Sequence, residues 1–205
     1  MELPLPLTYV VIGVTVLASL YAWNNASVLQ GWMMNPYSID KRREYWRFIT
    51  SGFIHNDYAH LFFNMFTLYF FGRIVERQLG GVLFLILYLA GIVASDVPTY
   101  LKHRNSPHYN SLGASGGVSA VVFSSILFDP LNPLYLIIIP IPIPGFIFGG
   151  LYMFYSYYQA NRSGDNINHD AHLYGALFGV VFSILVQPGA LVSFVQQVSS
   201  YRLPF

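Results

Sequence analysis

The chain has 205 residues and no cysteine. That excludes disulfides, thiolate zinc sites, iron–sulfur clusters and a cysteine nucleophile. Charge is nearly as scarce. Only 9% of residues are Asp, Glu, Lys or Arg, where a soluble domain carries about 25%. A chain this poor in charge cannot cover its own surface with solvated groups, which excludes a soluble globular protein. The 55% of hydrophobic and 18% of aromatic residues exclude disorder as well. A formal net charge of +1 leaves no basic field for nucleic acid. What the chain does have is apolar length, and that points to an all-α polytopic membrane protein.

Runs poor in charge locate six spans. The first is Leu5 to Trp23, which lacks a basic leader and a small-residue cleavage site and reads as a retained helix. The second runs from Tyr58 to Leu79, with Arg73, Glu76 and Arg77 at its far end, the third from Gly80 to Tyr100, with Asp96 and Pro98 near its end, the fourth from Ser115 to Phe128 and the fifth from Gly145 to Gln159. The sixth runs from His169 to Val186, stopped by Pro188 and Gly189. Each long run can cross a hydrocarbon core of ~30 Å. Between the first two spans, Trp32, Met33, Met34, Trp46 and Phe48 alternate with Lys41, Arg42, Arg43 and Arg47, as expected of amphipathic pieces at the membrane surface. Between spans four and five, Pro140, Pro142 and Pro144 keep Leu134 to Pro144 out of a helix, so an extended interfacial connection is expected.

The fourth span is short. Its 14 residues cover roughly 21 Å at about 1.5 Å per residue. Its polar, glycine-rich start must therefore lie below the membrane surface, where irregular backbone is tolerated only against protein or a cavity. Spans two, four and six run in one direction, so their first turns share one end of the bundle. Those turns carry His60 and Asn64, then Ser115, then His172. Polar side chains at such depth mark function by default. Gly113, Gly116 and Gly117 flank Ser115, and Gly175 and Gly179 follow His172 at the spacing that lets helix backbones approach closely. If spans four and six pack there, Ser115 Oγ would come within reach of a His172 ring nitrogen, the minimal activated nucleophile. Its place at a helix N-terminus would favour negative charge.

Each signal has a plainer reading. A serine among small residues is as readily a packing seam, GxxxG marks close packing in most apolar helices, and an intramembrane histidine can simply satisfy a neighbour. A metal site built on His169 and His172, with His55 and His60, is weakened by the absence of HExxH. An aspartyl protease needs two buried carboxylates, and only Asp96 lies near a span interior. A transporter would show an inverted repeat or paired broken helices, and none is visible.

Taken together, His55-x4-His60-x3-Asn64, Gly113-Ala114-Ser115-Gly116 and Ala171-His172-x2-Gly175-x3-Gly179 resemble the rhomboid intramembrane serine proteases. Tyr45-Trp46-Arg47 resembles the family's first-loop Trp-Arg motif, and Val75-Glu76-Arg77 its span-two exit. The resemblance covers Trp46 to Gly179. It implies a single rhomboid-like domain over residues 1–205, with a core of about 46–187, in the basic six-helix form with an amphipathic loop between helices 1 and 2. It further implies Ser115 as nucleophile and His172 as base. Asn64, His60 and the Ser115 backbone N–H would form the oxyanion hole. Gly113, Gly116, His55, Gly175, Gly179, Trp46, Arg47 and Glu76 would be supporting residues. Cleavage of single-pass membrane substrates would need water and no metal or other cofactor, with the lipid bilayer as surroundings and the bacterial inner membrane as the expected location. An inactive scaffold that binds membrane clients is the alternative.

Two features depart from the family pattern. Many members place an aromatic one turn after the serine, beneath the histidine, and here that position is Ser119. Tyr174, neighbouring Leu173, and the fifth-span aromatics Tyr152 and Tyr155 are the candidates to replace it. The family topology also puts Lys41, Arg42, Arg43, Arg47, Lys102, Arg104 and Arg162 on the outer side, seven of the ten basic residues, against the positive-inside rule.

Overall fold

The computed structural model describes residues 5–135, 141–160 and 168–202. A long helix α1 (Leu7–Trp23) leads into three short ones, α2 (Ala26–Trp32), α3 (Pro36–Arg42) and α4 (Arg47–Thr50). The bundle then builds from α5 (Tyr58–Leu79), α6 (Gly81–His103) and α7 (Ser115–Phe128). A small antiparallel pair, β1 (Pro133–Tyr135) and β2 (Pro142–Pro144), precedes α8 (Gly145–Ala160), α9 (His169–Val186) and α10 (Gly189–Ser200). Of these, α6 and α9 are each long and apolar enough to cross a membrane, and α1 and α7 are shorter apolar helices.

Helix α7 is the axis of the fold. It is buried from Gly116 to Leu127 and is packed by α5, α6 and α9. Small residues allow this. A Cβ on Gly175 would collide with the Gly116 carbonyl, and one on Gly179 with the Ala120 carbonyl, so the backbones of α7 and α9 touch. On the other side, a Cβ on Gly91 would lie 2.8 Å from Ala120, and one on Gly117 would lie 2.8 Å from the Tyr88 carbonyl. Further down the same seam the Ser124 and Ser183 hydroxyls, both buried, bond each other at 2.6 Å. Each hydroxyl thereby removes the other's desolvation cost.

Glu76, near the end of α5, ties down α1. Its carboxylate accepts the Leu7 and Thr8 backbone N–H groups at 2.7 and 3.1 Å and the Thr8 hydroxyl at 2.7 Å, with Arg73 at 3.3 Å. It thus supplies the cap that Pro6 cannot give to α1. Arg47 organises the segment before α5. The buried guanidinium donates to the Gln30 and Met33 carbonyls at 2.8 and 2.7 Å and pairs with Glu44 at 2.6 Å. Neighbouring Trp46 is largely exposed, its indole N–H directed at the Gly31 carbonyl, 3.4 Å away.

Helix bounds expected for the second, fourth and sixth spans match α5, α7 and α9. Two expectations need correction. The third span does not end near Tyr100, because α6 runs through Pro98 to His103. A membrane-type helix tolerates an internal proline where neighbours satisfy the freed carbonyl. Pro188 and Gly189 do end α9, but they also begin α10, with Pro188 as N-cap in helical geometry. At 12 residues this helix is about 18 Å long, too short to be a further span. Phe194 packs on the core while Leu191, Val192 and Val195 face outward. The proline-rich connection is extended at both its described ends, where Pro133 pairs with Pro144. Its centre, 136–140, and the connection 161–167 lie outside the described residues.

Candidate active site

The first turns of α5, α7 and α9 meet at one end of the bundle, as parity of the spans requires. Helix α5 begins at Asp57, whose side chain caps it by accepting the His60 N–H at 2.8 Å. This hydrogen bond, from a backbone N–H to the carboxylate, holds the Asp57 pKa below its ordinary value. One turn on, the buried Asn64 amide donates to the His60 carbonyl at 2.9 Å, fixing its rotamer. The His60 ring lies against Gly113: a Cβ there would fall 2.5 Å from His60 Cε1. Gly113 also has φ +122°, a conformation L side chains rarely adopt, so this glycine is required twice over.

The chain entering α7 is held at several points. Met34 and Ser111 exchange backbone hydrogen bonds at 2.9 and 3.0 Å, and the Gly113 N–H donates to the Ser51 carbonyl at 2.9 Å. The Ala114 N–H donates to His55 Nε2 at 3.3 Å. Fully buried His55 approaches Ser19 Oγ through Nδ1 at 3.1 Å, and that hydroxyl donates to the Phe53 carbonyl at 3.2 Å. The histidine whose role the sequence left open therefore anchors the residue just before Ser115. It lies in the connection ahead of α5, where burial, with some repulsion from His60, pushes its pKa down to about 3.

Ser115 opens α7, half-buried, with no side chain capping the helix N-terminus. It lines a cavity of about 20 Å³ together with Ser51, Ser95 and Asp96, room for about one water. Asp96 is buried, and the Ser51 hydroxyl points at its carboxyl at 3.4 Å. The carboxyl that the sequence placed near a span interior thus lies beside Ser115, a neighbour that the spacing along the spans did not reveal. His172 sits on the first turn of α9. Gly116, next to Ser115, packs on Ala171, next to His172, and the Gly116–Gly175 contact follows one turn below. The start of α9 is itself fixed. Asn168 caps it through the Ala171 N–H at 3.1 Å and exchanges hydrogen bonds with Thr99 of α6. Asp170 turns away to Lys102 at 3.1 Å.

Of the three tyrosines considered for supporting His172, Tyr152 of α8 is the one stacked on its ring, with centroids 6.2 Å apart and 23° between planes. Its hydroxyl bonds Ser119 Oγ at 3.0 Å. Tyr155 instead meets His169 edge-on at 5.6 Å, and Tyr174 is exposed. His169 approaches His172 edge-on at 5.9 Å.

A serine at a helix N-terminus, a histidine on the adjoining helix and polar groups on a third thus stand at one end of the bundle. The Rhomboid domain model matches residues 42–189, and the chain belongs to the rhomboid family, whose members are polytopic membrane proteins. It is similar to the RHOMBOID-like protein 12, mitochondrial, of Arabidopsis thaliana, at 31% identity over 179 residues, covering 78% of this chain and 53% of the relative. The rhomboid protease GlpG of Haemophilus influenzae is 34% identical over 101 residues, 49% of this chain and 50% of that protein. The inactive RHOMBOID-like protein 8 of Arabidopsis thaliana is 28% identical over 89 residues, 43% of this chain and 25% of that protein. The chain thus spans about half the length, or less, of these relatives. One carries a mitochondrial name and another is bacterial. They support an integral membrane protein and give no support to the bacterial inner membrane in particular.

Proposed function

We propose that this chain is an intramembrane serine endopeptidase with six spanning helices, α1, α5, α6, α7, α8 and α9, acting on single-pass membrane proteins. In this reading Ser115 Oγ attacks the scissile carbonyl while His172 takes its proton and later delivers it to the leaving amine. Asn64 keeps an amide hydrogen beyond the one used on the His60 carbonyl. That hydrogen, the His60 ring and the Ser115 N–H would stabilise the oxyanion, helped by the uncapped N-terminus of α7. The cavity beside Ser115 would hold a water near the acyl-enzyme.

The observation that carries the proposal is the glycine seam. Gly116 against Gly175 brings the first turns of α7 and α9 together, and Ser115 and His172 belong to those turns. The competing reading, a scaffold without proteolytic activity, draws on a relative named inactive. It is disfavoured because Ser115 and His172 are both present and their helix starts are individually anchored. Reconstituting the protein with a single-pass substrate separates the two. Cleavage by wild type and none by Ser115→Ala is expected. Binding of substrate without cleavage by either would favour the scaffold, and equal processing by both would remove Ser115 as the nucleophile.

A further inference from the structure

One turn after Ser115 on α7 stands Ser119, too small to reach the His172 ring. The contact comes from a third helix. Tyr152 lays its ring over His172 at 6.2 Å and 23°, and its hydroxyl reaches across to Ser119 Oγ at 3.0 Å. We propose that Tyr152 is the positioning residue for His172, with Ser119 as its anchor on α7, so that the base is held in place by α8. This rests on the assignment of His172 as the general base.

Three observations fit together. Ring centroids within about 4.5–7 Å at a shallow angle make an offset stack, which restricts rotation of the imidazole about its own bonds. Stacking alone would leave Tyr152 free to slide, and the bond to buried Ser119 fixes how far its ring extends. Phe123 and Phe148 flank the tyrosine at 5.5 and 5.9 Å and close off its other rotamers. The small side chain at position 119 is what leaves room for this ring to come from α8. The arrangement also ties catalysis to the placement of α8. Buried residues on that helix are limited to Gly145, Gly149 and Ser156, while Leu151, Phe154, Tyr155, Tyr157 and Tyr158 face outward. Any outward displacement of α8 would withdraw the ring from His172.

The test compares the full chain in lipid nanodiscs as wild type, Tyr152→Leu, Tyr152→Phe and Ser119→Ala. Turnover of a reconstituted single-pass substrate is measured alongside the imidazole resonances of histidine-labelled protein, with His172 identified through His172→Gln. Tyr152→Leu is expected to lower kcat by at least about tenfold, as displaced catalytic groups do, with KM within about twofold. It should also remove the ring-current shift of the His172 resonance. Tyr152→Phe, which keeps the ring but loses the bond to Ser119, is expected to hold kcat to within about threefold and to keep a ring-current shift on His172, displaced by the same amount as in Ser119→Ala. Ser119→Ala should move the His172 resonance without removing a ring, and it decides the matter if Tyr152→Leu fails to fold. The proposal is overturned if Tyr152→Leu leaves kcat and the His172 resonance unchanged, if the leucine and phenylalanine variants lose activity equally with the resonance unmoved, or if, with Tyr152→Leu unfolded, Ser119→Ala leaves the resonance in place. Should wild type show no Ser115-dependent turnover, the protease reading fails by itself and the resonances still decide the role of Tyr152.

Discussion

At His55 the direction of each hydrogen bond leaves one consistent proton placement. Nε2 accepts from the Ala114 N–H, so the proton sits on Nδ1 and is donated to Ser19 Oγ. Protonating Nε2 would break the contact that fixes the residue before Ser115. With its pKa at about 3 in the fold and an ordinary value of 6.5, His55 binds its proton more readily in the unfolded chain. The stability it contributes is complete above pH 6.5 and is lost progressively as pH falls from there toward 3. Unfolding of wild type and His55→Gln in micelles checks this, and the variant is expected to show a weaker decline with acid over that interval. Among residues proposed to act on substrate, Asn64→Ala is expected to cost about 10²–10³ in kcat, the usual price of one oxyanion donor, because its spacing from His60 already places it on the same face. A loss of less than about threefold would remove it from the oxyanion hole. Ser115, His172, His60 and Asn64 were legible as types and spacings. The anchoring task of His55 was not, since Ser19 and Ala114 stand far from it in sequence. The choice of Tyr152 over Tyr155 was equally hidden. These residues are three apart on one helix, and only the rotation of α8 about its axis decides which ring meets His172 and which meets His169.

Helix contacts carry the next level. The seam of α7 and α9 depends on the absence of side chains, so an added methyl at Gly175 has nowhere to go except against the Gly116 backbone. Gly175→Ala is expected to destabilise the bundle by about 1–3 kcal/mol and to reduce activity by shifting His172 from Ser115. Gly150→Ala, where nothing lies within 4 Å of the added Cβ, serves as the control. Thermal unfolding of the two variants in one detergent measures the difference, and equal midpoints would contradict the seam. Most elements could be read from the chain because runs poor in charge set the bounds of α5, α7 and α9, with caps such as Asp57 and Asn168 at the starts of α5 and α9. Helix α10 was missed for a physical reason. A Pro-Gly pair signals a break, and the signal is the same whether a loop or a new helix follows. The end of α6 fell three residues beyond Tyr100, with Pro98 inside the helix, because a proline's local cost is outweighed when the surrounding helices hold α6 on both sides of it.

For the molecule as a whole, the proposed topology puts the site end of the bundle outside and α10 inside. The positive-inside rule favours the reverse. Part of the discrepancy dissolves in the fold, where Arg47 is a buried structural cation bonded to loop carbonyls and Glu44 and is no longer a free charge. The cysteine-free chain makes the test clean. Asn105→Cys and Ser199→Cys are exposed positions at opposite ends of the bundle. An impermeant maleimide applied to intact cells is expected to label Asn105→Cys, and Ser199→Cys only after permeabilisation; the reverse pattern would invert the topology. The central claim is that the meeting of α7 and α9 activates Ser115. Its most direct measurement is covalent labelling by a fluorophosphonate probe, mapped by mass spectrometry in wild type and His172→Ala. The account predicts phosphonylation at Ser115 in wild type and its loss in His172→Ala. Label absent from Ser115, or present to the same extent without His172, would contradict it.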